Sequence, residues 1–205
     1  MLIKASRKDK INKIQEIAFS LFLDRGYEAT SMRNICKAAG IEQPTLYYFF
    51  GSKEGLFFSV INRLWDQYKQ FNTVHARKME TLPPEEKLYG IFRGSVGFGL
   101  KNRRSAAFYY RYSLFPPAGL EKKIRICMAK MEEEPRLQVR HAIGELIGQG
   151  QIERDQKDAE RTYCAFVGNQ IFNVIFSDYR PEESDLKKQW NMFYKCWLQK
   201  NCYNV

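Results

Sequence analysis

The fold of this chain is decided by residues 30–56, which read TSMRNICKAAGIEQPTLYYFFGSKEGL. Their apolar pattern predicts a short helix from Met32 to Ala39 and a second from about Gln43 to Phe50. Gly40 stands between the two helices, where a reversing chain often needs a positive φ that costs other residues energy. Two short helices joined by a tight turn are typical of a helix-turn-helix, and we expect one here.

The second helix of this motif would present hydrogen-bonding side chains near its N-terminal end. These side chains have the reach and chemistry to meet phosphates and base edges in a major groove. The Gln43 amide can pair with adenine, and Thr45 can contact a thymine methyl group. Tyr48 could make either of these base contacts. The motif is therefore predicted to bind DNA.

Groups around the second helix would fix its register on phosphates. Thr30 and Ser31 could hold one phosphate, and Ser31 is also placed to cap the first helix. Tyr47 and Lys53 could hold another phosphate on the far side of the groove. Arg33 is the best candidate for a bidentate guanine contact from outside the second helix.

The charge of the chain favours a polyanionic partner. The 205 residues carry a formal net charge of +10, which suits nucleic acid but also an ordinary solvated surface. Only a minority of the excess positive charge precedes residue 57, so the motif locates the DNA site and the net charge does not. A basic arm that could follow the DNA backbone or enter a minor groove is formed by Lys4, Arg7, Lys8 and Lys10.

Composition limits the other classes of function. The five cysteines are Cys36, Cys127, Cys164, Cys196 and Cys202. They form no C-x-x-C pair and no signal peptide is evident, so we expect free thiols in a reducing cytoplasm, with redox sensing as an alternative. No run approaches the roughly 18 apolar residues of a membrane span. The two histidines, without a nucleophile motif or a glycine-rich phosphate loop, predict neither an enzyme nor a bound metal or cofactor.

The remaining sequence also has helical periodicity. We expect an all-α fold, in which a three-helix DNA-binding head, residues 1–52, continues into a body of further helices, residues 53–205. The expected body helices run from Ser52 to the early seventies, Pro83 to Leu100, Ser105 to Phe115, Leu120 to Glu133, Arg136 to Ile147, Asp158 to Asp178 and Glu183 to Lys200.

The body is predicted to bind a ligand and to dimerise. An aromatic stretch from Phe92 to Phe115 suits a pocket for a flat or apolar molecule, although a plain aromatic core is the alternative. The candidate pocket residues are Trp65, Tyr68, Phe92, Phe98, Phe108, Tyr109, Tyr112 and Phe172. Arginines that could neutralise an anionic ligand are Arg93, Arg104 and Arg111.

Two later apolar stripes would suit a four-helix interface between two subunits, or equally an intramolecular core. The candidate interface residues are Val139, Ile143, Leu146, Ala165, Gly168, Phe172 and Phe176.

The ordered string A-G-I-x-x-x-T-L-Y-Y-x-F-x-S-K-E-x-L runs from Ala39 to Leu56 and is specific. With Gly26-Tyr27 and Thr30-Ser31 before it, residues 9–56 resemble the N-terminal domain of the TetR family of bacterial transcriptional repressors. The resemblance implies a homodimer, an operator with dyad symmetry and a ligand-binding C-terminal domain. It implies phosphate contacts for Thr30, Ser31, Tyr47 and Lys53, and base or groove contacts for Gln43, Pro44, Thr45 and Tyr48.

Three positions depart from the family pattern. Phe49 stands where the family often has histidine, and Asn34 stands where an acidic residue is usual. Glu42 replaces the serine that commonly caps the recognition helix, and it places an anion near the DNA.

The sequence thus predicts a dimeric, sequence-specific transcriptional repressor that a small molecule releases from a palindromic operator. The alternative is an activator or a ligand-independent architectural DNA-binding protein, because activation and repression use the same binding chemistry. The expected partners are double-stranded DNA, a second copy of the chain, and an effector that is aromatic, apolar or anionic.

Overall fold

The computed structural model describes residues 6–79 and 81–198, with the backbone alone described at 73–78, 197 and 198. Every regular element in these ranges is helical, which confirms the all-α prediction. The elements are α1 Arg7–Arg25, α2 Met32–Ala39, α3 Gln43–Phe50, α4 Lys53–Met79, α5 Pro84–Lys101, α6 Arg103–Leu114, α7 Glu121–Gly148, α8 Gln156–Phe176 and α9 Glu183–Phe193, followed by a π-helical turn Tyr194–Leu198. Among the described residues, no helix has the length and apolar character needed to span a membrane.

The predicted bounds of α2 and α3 are confirmed, whereas α4 runs further than expected, to Met79. Lys4, Cys202 and the expected end of the last helix at Lys200 lie outside the described residues.

The main correction concerns the two helices expected from Leu120 to Glu133 and from Arg136 to Ile147, which are one continuous α7 with Pro135 inside it. A proline within a helix removes one backbone hydrogen bond and costs about 3 kcal/mol. The buried positions of α7 continue at helical spacing on both sides, with Met128 and Met131 before the proline and Val139 and Ala142 after it. We attribute the continuity to this burial, which offsets the cost of the proline.

Contacts within the chain define two compact units. The N-terminal unit comprises the described residues up to Tyr68 together with Phe108–Lys122. The C-terminal unit comprises Lys69–Ala107 and the described residues from Lys123 onward. The helices α4, α6 and α7 each contribute residues to both units. These units are defined by contacts and do not follow the expected boundary after residue 52. That boundary, between a DNA-binding domain and a ligand-binding domain, stays a prediction.

The core of the N-terminal unit is centred on Phe57 of α4, whose side chain is fully buried. Its ring contacts Phe22 of α1, Tyr27, and both Phe108 and Tyr112 of α6, with centroid distances of 5.3, 5.0, 5.9 and 4.8 Å. Aromatic pairs at these separations stabilise a core beyond the area that they bury. One aromatic cluster thus holds α1, α4 and α6 together.

The end of α1 is closed by the loop that follows it. A helix leaves its last four carbonyl groups without partners inside the helix. Gly26 adopts a φ of 90° and donates its N–H to the Phe22 carbonyl at 3.0 Å. The Thr30 hydroxyl lies within hydrogen-bonding distance of the Gly26 carbonyl, at 2.8 Å, and of the Leu21 carbonyl, at 3.2 Å. The loop between α1 and α2 is therefore tied back onto the helix that precedes it.

Two side chains of α6 complete this cap. The Tyr112 hydroxyl donates to the Phe22 carbonyl at 2.8 Å, and Arg111 Nη1 donates to the Leu23 carbonyl at 2.8 Å. A Cβ atom at Gly26 would lie 2.8 Å from Arg111 Nη2, so the guanidinium occupies the space that a side chain there would need. The position of α1 is therefore linked to that of α6 by directional bonds as well as by packing.

The core of the C-terminal unit surrounds Trp190 of α9, which is fully buried. Its ring lies 6.1 Å from that of Phe92 and 6.2 Å from that of Tyr163. Tyr163 also donates its hydroxyl to the Leu88 carbonyl at 2.8 Å. These contacts join α5, α8 and α9.

The hydroxyl cap on α1 can be tested by Tyr112→Phe, which keeps the ring in the core. We expect a loss of about 1 kcal/mol in the free energy of unfolding, the usual net worth of one such hydrogen bond. Burial raises the pKa of Tyr112 to about 12, so the hydroxyl is a donor at neutral pH. Urea unfolding at pH 7 measures the change.

Tyr47→Phe is the matched control, because it removes an exposed hydroxyl. Its expected effect is below about 0.5 kcal/mol. Equal effects of the two substitutions would show that the Tyr112 hydroxyl does not support α1.

Candidate nucleic-acid interface

The outer face of α3 is formed by residues at helical positions i, i+1, i+4 and i+5. Leu46 is fully buried and anchors the helix, while Gln43 and Pro44 are exposed. Tyr47 is 48% exposed and Tyr48 73% exposed. Two large rings beside an amide on one exposed helical face are suited to a contact surface, because side chains of this kind bind phosphates and base edges.

The N-terminal end of α3 offers few backbone donors. Glu42 is the N-cap, and its side chain makes no capping hydrogen bond. Pro44 has no N–H, and the amides of Thr45 and Leu46 donate to the Glu42 carbonyl at 3.1 and 3.4 Å. Anion binding at a helix start relies on amides that point at the ligand. Side chains rather than this helix end must therefore make most of the contacts of α3.

The start of α2 is closed by a reciprocal capping box. Ser31 Oγ accepts from the Asn34 amide at 3.1 Å, and Asn34 Oδ1 accepts from the Ser31 amide at 3.1 Å. The predicted Ser31 cap is thus confirmed. Because Asn34 is neutral, the first turn of α2 contains no acidic residue to oppose a phosphate. Ser31 and Arg33 are both exposed at this end.

Thr30 does not lie on this surface, which corrects the expectation that its side chain holds a phosphate. It is 1% exposed, and its hydroxyl is used on the carbonyls of Gly26 and Leu21. A phosphate contact would require breaking these bonds. The side chain of Thr30 therefore has a structural role at the end of α1.

Lys53 is held at the start of α4 by an aromatic ring. Its Nζ lies 4.1 Å from the ring centroid of Tyr27, a close cation–π contact. Tyr27 is itself packed against Phe22 at 5.7 Å. Ser52 caps the helix, accepting from the Gly55 amide at 3.0 Å. The ammonium group is therefore restricted to one region of the surface, which favours a defined phosphate contact.

Sequence reasoning did not assign this positioning role to Tyr27, which it used only as part of a family pattern. Burial raises the pKa of Tyr27, and the nearby Glu54 and Glu28 add to the shift. The phenol therefore stays neutral, and its ring face remains available to the lysine. The sequence feature that could have indicated this role is the aromatic residue directly after Gly26.

The basic arm is helical from Arg7 onward rather than extended. Ser6 caps α1 in a reciprocal box with Asp9, at 3.1 and 3.0 Å. Arg7, Lys8 and Lys10 are exposed in the first turns of α1. These three residues are therefore positioned by a helix rather than by a flexible extended segment.

The predicted pocket residues are divided between the two units. Trp65, Tyr68, Phe108, Tyr109 and Tyr112 belong to the N-terminal unit, and Phe92, Phe98 and Phe172 belong to the C-terminal unit. Phe92, Phe108 and Tyr112 are 0%, 1% and 2% exposed and pack in the cores of the two units, and their assignment to a pocket stays a prediction. Phe172 is on the surface at 43% exposure. Those that remain half-buried are Trp65, Tyr68, Phe98 and Tyr109.

Two of the arginines suggested for an anionic ligand already have partners. Arg111 is bonded to the Leu23 carbonyl, and Arg93 lies 3.4 Å from Glu183.

The predicted dimer residues separate into two groups. Val139, Ile143 and Leu146 lie in the core of the C-terminal unit, so their stripe belongs to an intramolecular core, which corrects that assignment. On α8, by contrast, the exposed stripe consists of Ala165, Phe172 and Phe176, with Gly168 half-buried among them. The rings of Phe172 and Phe176 lie 4.6 Å apart. This second stripe, unlike the first, lies largely at the surface of the C-terminal unit.

The structure gives little support for redox sensing or for a metal-dependent activity. Burial raises the pKa of the Cys36, Cys127 and Cys164 thiols, which keeps them protonated and poor nucleophiles. Within residues 6–79 and 81–198, no group of His, Cys, Asp or Glu is arranged to hold a metal ion.

Known proteins that are similar to this chain in sequence also contain a DNA-binding head. The model of the family described as bacterial regulatory proteins, tetR family, matches residues 14–60. The transcriptional repressor KstR2 of Mycolicibacterium smegmatis is 35% identical over 107 residues. That match covers 52% of this chain and 49% of KstR2, so the chain spans about half the length of this relative.

Solved structures extend the similarity to the whole fold. A TetR-like regulator from Rhodococcus sp. RHA1 superposes with a TM-score of 0.72 at 21% identity, covering 94% of this chain and 97% of that one. AibR, solved with isovaleryl coenzyme A and operator DNA, superposes with a TM-score of 0.67 at 20% identity, covering 89% and 97%. The family model over the head, the similarity to KstR2 and the shared fold together support a regulator of the TetR family.

Proposed function

We propose that this protein is a sequence-specific DNA-binding transcriptional repressor that acts as a homodimer and responds to a small molecule. The observation that carries the proposal is the exposed face of α3, where Gln43, Tyr47 and Tyr48 stand on a helix fixed by the buried Leu46. The repressor function named for KstR2 and the operator DNA bound by AibR support it.

The side chains around α3 divide into two roles. Gln43 and Thr45 lie near the start of the helix, where they reach base edges and give sequence preference. Ser31, Tyr47 and Lys53 contact phosphates, which give affinity for any sequence and make that affinity depend on salt. Arg33, exposed in the first turn of α2, adds either a phosphate or a guanine contact.

A homodimer would place two copies of α3 on one face of the DNA. Recognition helices of a two-fold dimer enter successive major grooves about 34 Å apart, which requires a palindromic site. The stripe of Ala165, Phe172 and Phe176 on α8 is the surface that we assign to the second copy. Its small and aromatic residues suit close packing between two helices, and a two-fold axis makes such a patch self-complementary.

The effector acts, in this proposal, through α6. This helix contributes residues to both units, and its Arg111 and Tyr112 cap the end of α1. A ligand that favours another position of α6 would disturb these bonds and thereby lower the population of the DNA-binding conformation. The isovaleryl coenzyme A bound by AibR and the choline bound by a regulator from Saccharomonospora viridis support a small-molecule effector.

The DNA-binding function is tested by selecting bound duplexes from a random pool and titrating the recovered site by fluorescence anisotropy at several salt concentrations. We expect a near-palindrome bound with a steep salt dependence. Lys53→Gln should weaken binding to this site and to a scrambled duplex by similar factors, and should lower the salt slope by about 1. Lys188→Gln, an exposed lysine of the C-terminal unit, is the charge-matched control and should change neither value.

Two outcomes count against the DNA-binding proposal. Recovery of weak, sequence-independent binding alone would reject a sequence-specific regulator. Equal effects of Lys53→Gln and Lys188→Gln would show that the response reflects net charge rather than a contact by Lys53.

The dimer is tested by Phe172→Glu, which places a charge in the proposed interface. We expect a shift from dimer to monomer in sedimentation equilibrium, because an unpaired buried charge opposes association strongly. Leu137→Glu is the control, since Leu137 is 54% exposed on α7, outside the proposed stripe. A monomeric wild-type protein, or dissociation by Leu137→Glu but not by Phe172→Glu, would refute the assigned interface.

A further inference from the structure

The first turn of α1 lies against the C-terminal half of α3. The Arg7 Cζ atom is 5.8 Å from the ring centroid of Tyr48 and 5.9 Å from that of Phe49. The two rings are 5.3 Å apart and inclined by 64°. Both distances to the cation are within the range of cation–π contacts. A single guanidinium therefore bridges two consecutive aromatic residues of α3.

This guanidinium is exposed and available to an external acceptor. Arg7 is exposed, and in the part of the chain that the structure describes it forms no ion pair. The nearest acidic residue in sequence, Asp9, accepts a hydrogen bond from the Ser6 amide at 3.0 Å instead. A guanidinium that lies near aromatic rings can still present its N–H groups in a fork that matches a pair of oxygen or nitrogen acceptors.

The recognition helix has no positive charge of its own. The sequence of α3 is QPTLYYFF, and the residue before it is Glu42. The cation placed beside its exposed C-terminal half is therefore supplied by α1. Tyr48, whose side chain is 73% exposed, is one of the two rings that Arg7 contacts.

We propose that Arg7 is a DNA-contact residue whose guanidinium is positioned by Tyr48 and Phe49. Its N–H groups meet phosphate oxygens or a base edge beside the C-terminal half of α3. This inference rests on the proposed DNA-binding function. It distinguishes Arg7 from the other cations of the arm, because a flexible arm would use Arg7 and Lys8 interchangeably.

The ring contacts matter because they order the side chain before DNA arrives. An arginine that is free in solution loses rotamer freedom on binding, and this loss weakens the contact. Removing the Tyr48 ring should therefore weaken the Arg7 contact as well as any contact that Tyr48 makes itself. The two residues should act together rather than independently.

A double-mutant cycle tests this coupling. The wild type, Arg7→Ala, Tyr48→Leu and the double variant are titrated by anisotropy with the duplex that the wild type selects. We expect Arg7→Ala to weaken binding about tenfold in the wild-type background, within the range for a specific contact. In the Tyr48→Leu background we expect the same substitution to weaken binding only about threefold, because the coupling is already lost.

Two further variants separate a positioned contact from a general charge effect. Lys8→Ala is the matched control, since Lys8 is an exposed neighbour with the same charge. Its loss should be the same with and without Tyr48. Arg7→Lys keeps the charge but lacks the planar fork, so it should restore only part of the affinity lost in Arg7→Ala.

The readouts also identify the acceptor and detect misfolding. A salt slope lowered by about 1 in Arg7→Ala identifies a phosphate, whereas a changed base preference identifies a base edge. Either result supports the proposal. Circular dichroism and the thermal midpoint should match the wild type because Arg7 is exposed. If Arg7→Ala does not fold, Arg7→Lys alone decides, and full affinity of that variant overturns the proposal.

Failure of this inference is distinguishable from failure of the proposed function. If the wild type binds the selected duplex tightly but Arg7→Ala loses the same factor with and without Tyr48, the positioning role is wrong and the repressor function stands. If the wild type shows no sequence-specific binding, both are wrong.

Discussion

The carbonyl end of α1 lies within the N-terminal unit, and its carbonyl groups need donors from elsewhere in the chain. Thr30 supplies one from the following loop, and Arg111 and Tyr112 supply two from α6. Because Thr30 immediately precedes the Ser31 cap of α2, the same bonds that close α1 also fix where α2 begins. The direction of α3 then follows from the turn at Gly40, which adopts the left-handed φ of 66°.

Two cations of the candidate interface are held against aromatic rings rather than in ion pairs. Their positions therefore depend on how the helices and loops that carry these rings are packed. Lys53 lies over Tyr27, and Arg7 lies over Tyr48 and Phe49. A cation that is held on a ring keeps its charge for an incoming phosphate, whereas a cation in an ion pair must first release its carboxylate. Within the described part of the chain, Lys53 and Arg7 therefore present ordered positive charge without an acidic partner.

Local signals made the helix-turn-helix predictable from the sequence. The bounds of α2 and α3 follow from the capping Ser31 and from Gly40, each of which acts within a few residues. Contacts between distant residues were not predictable. The burial of Thr30 depends on the end of α1, and the contact between Arg7 and Tyr48 joins two helices far apart in sequence. Helical periodicity predicted which side of α7 is apolar. It did not predict whether that side packs within the chain or against a second subunit.

The central claim is that the exposed face of α3 reads DNA bases while the rest of the head holds it in place. The most direct measurement compares the wild type with Gln43→Ala on a set of duplexes carrying every single base-pair change in the selected site. We predict that Gln43→Ala loses its preference at one position in each half-site and keeps its affinity for a scrambled duplex. A uniform loss at all positions, or an unchanged preference, would contradict the account.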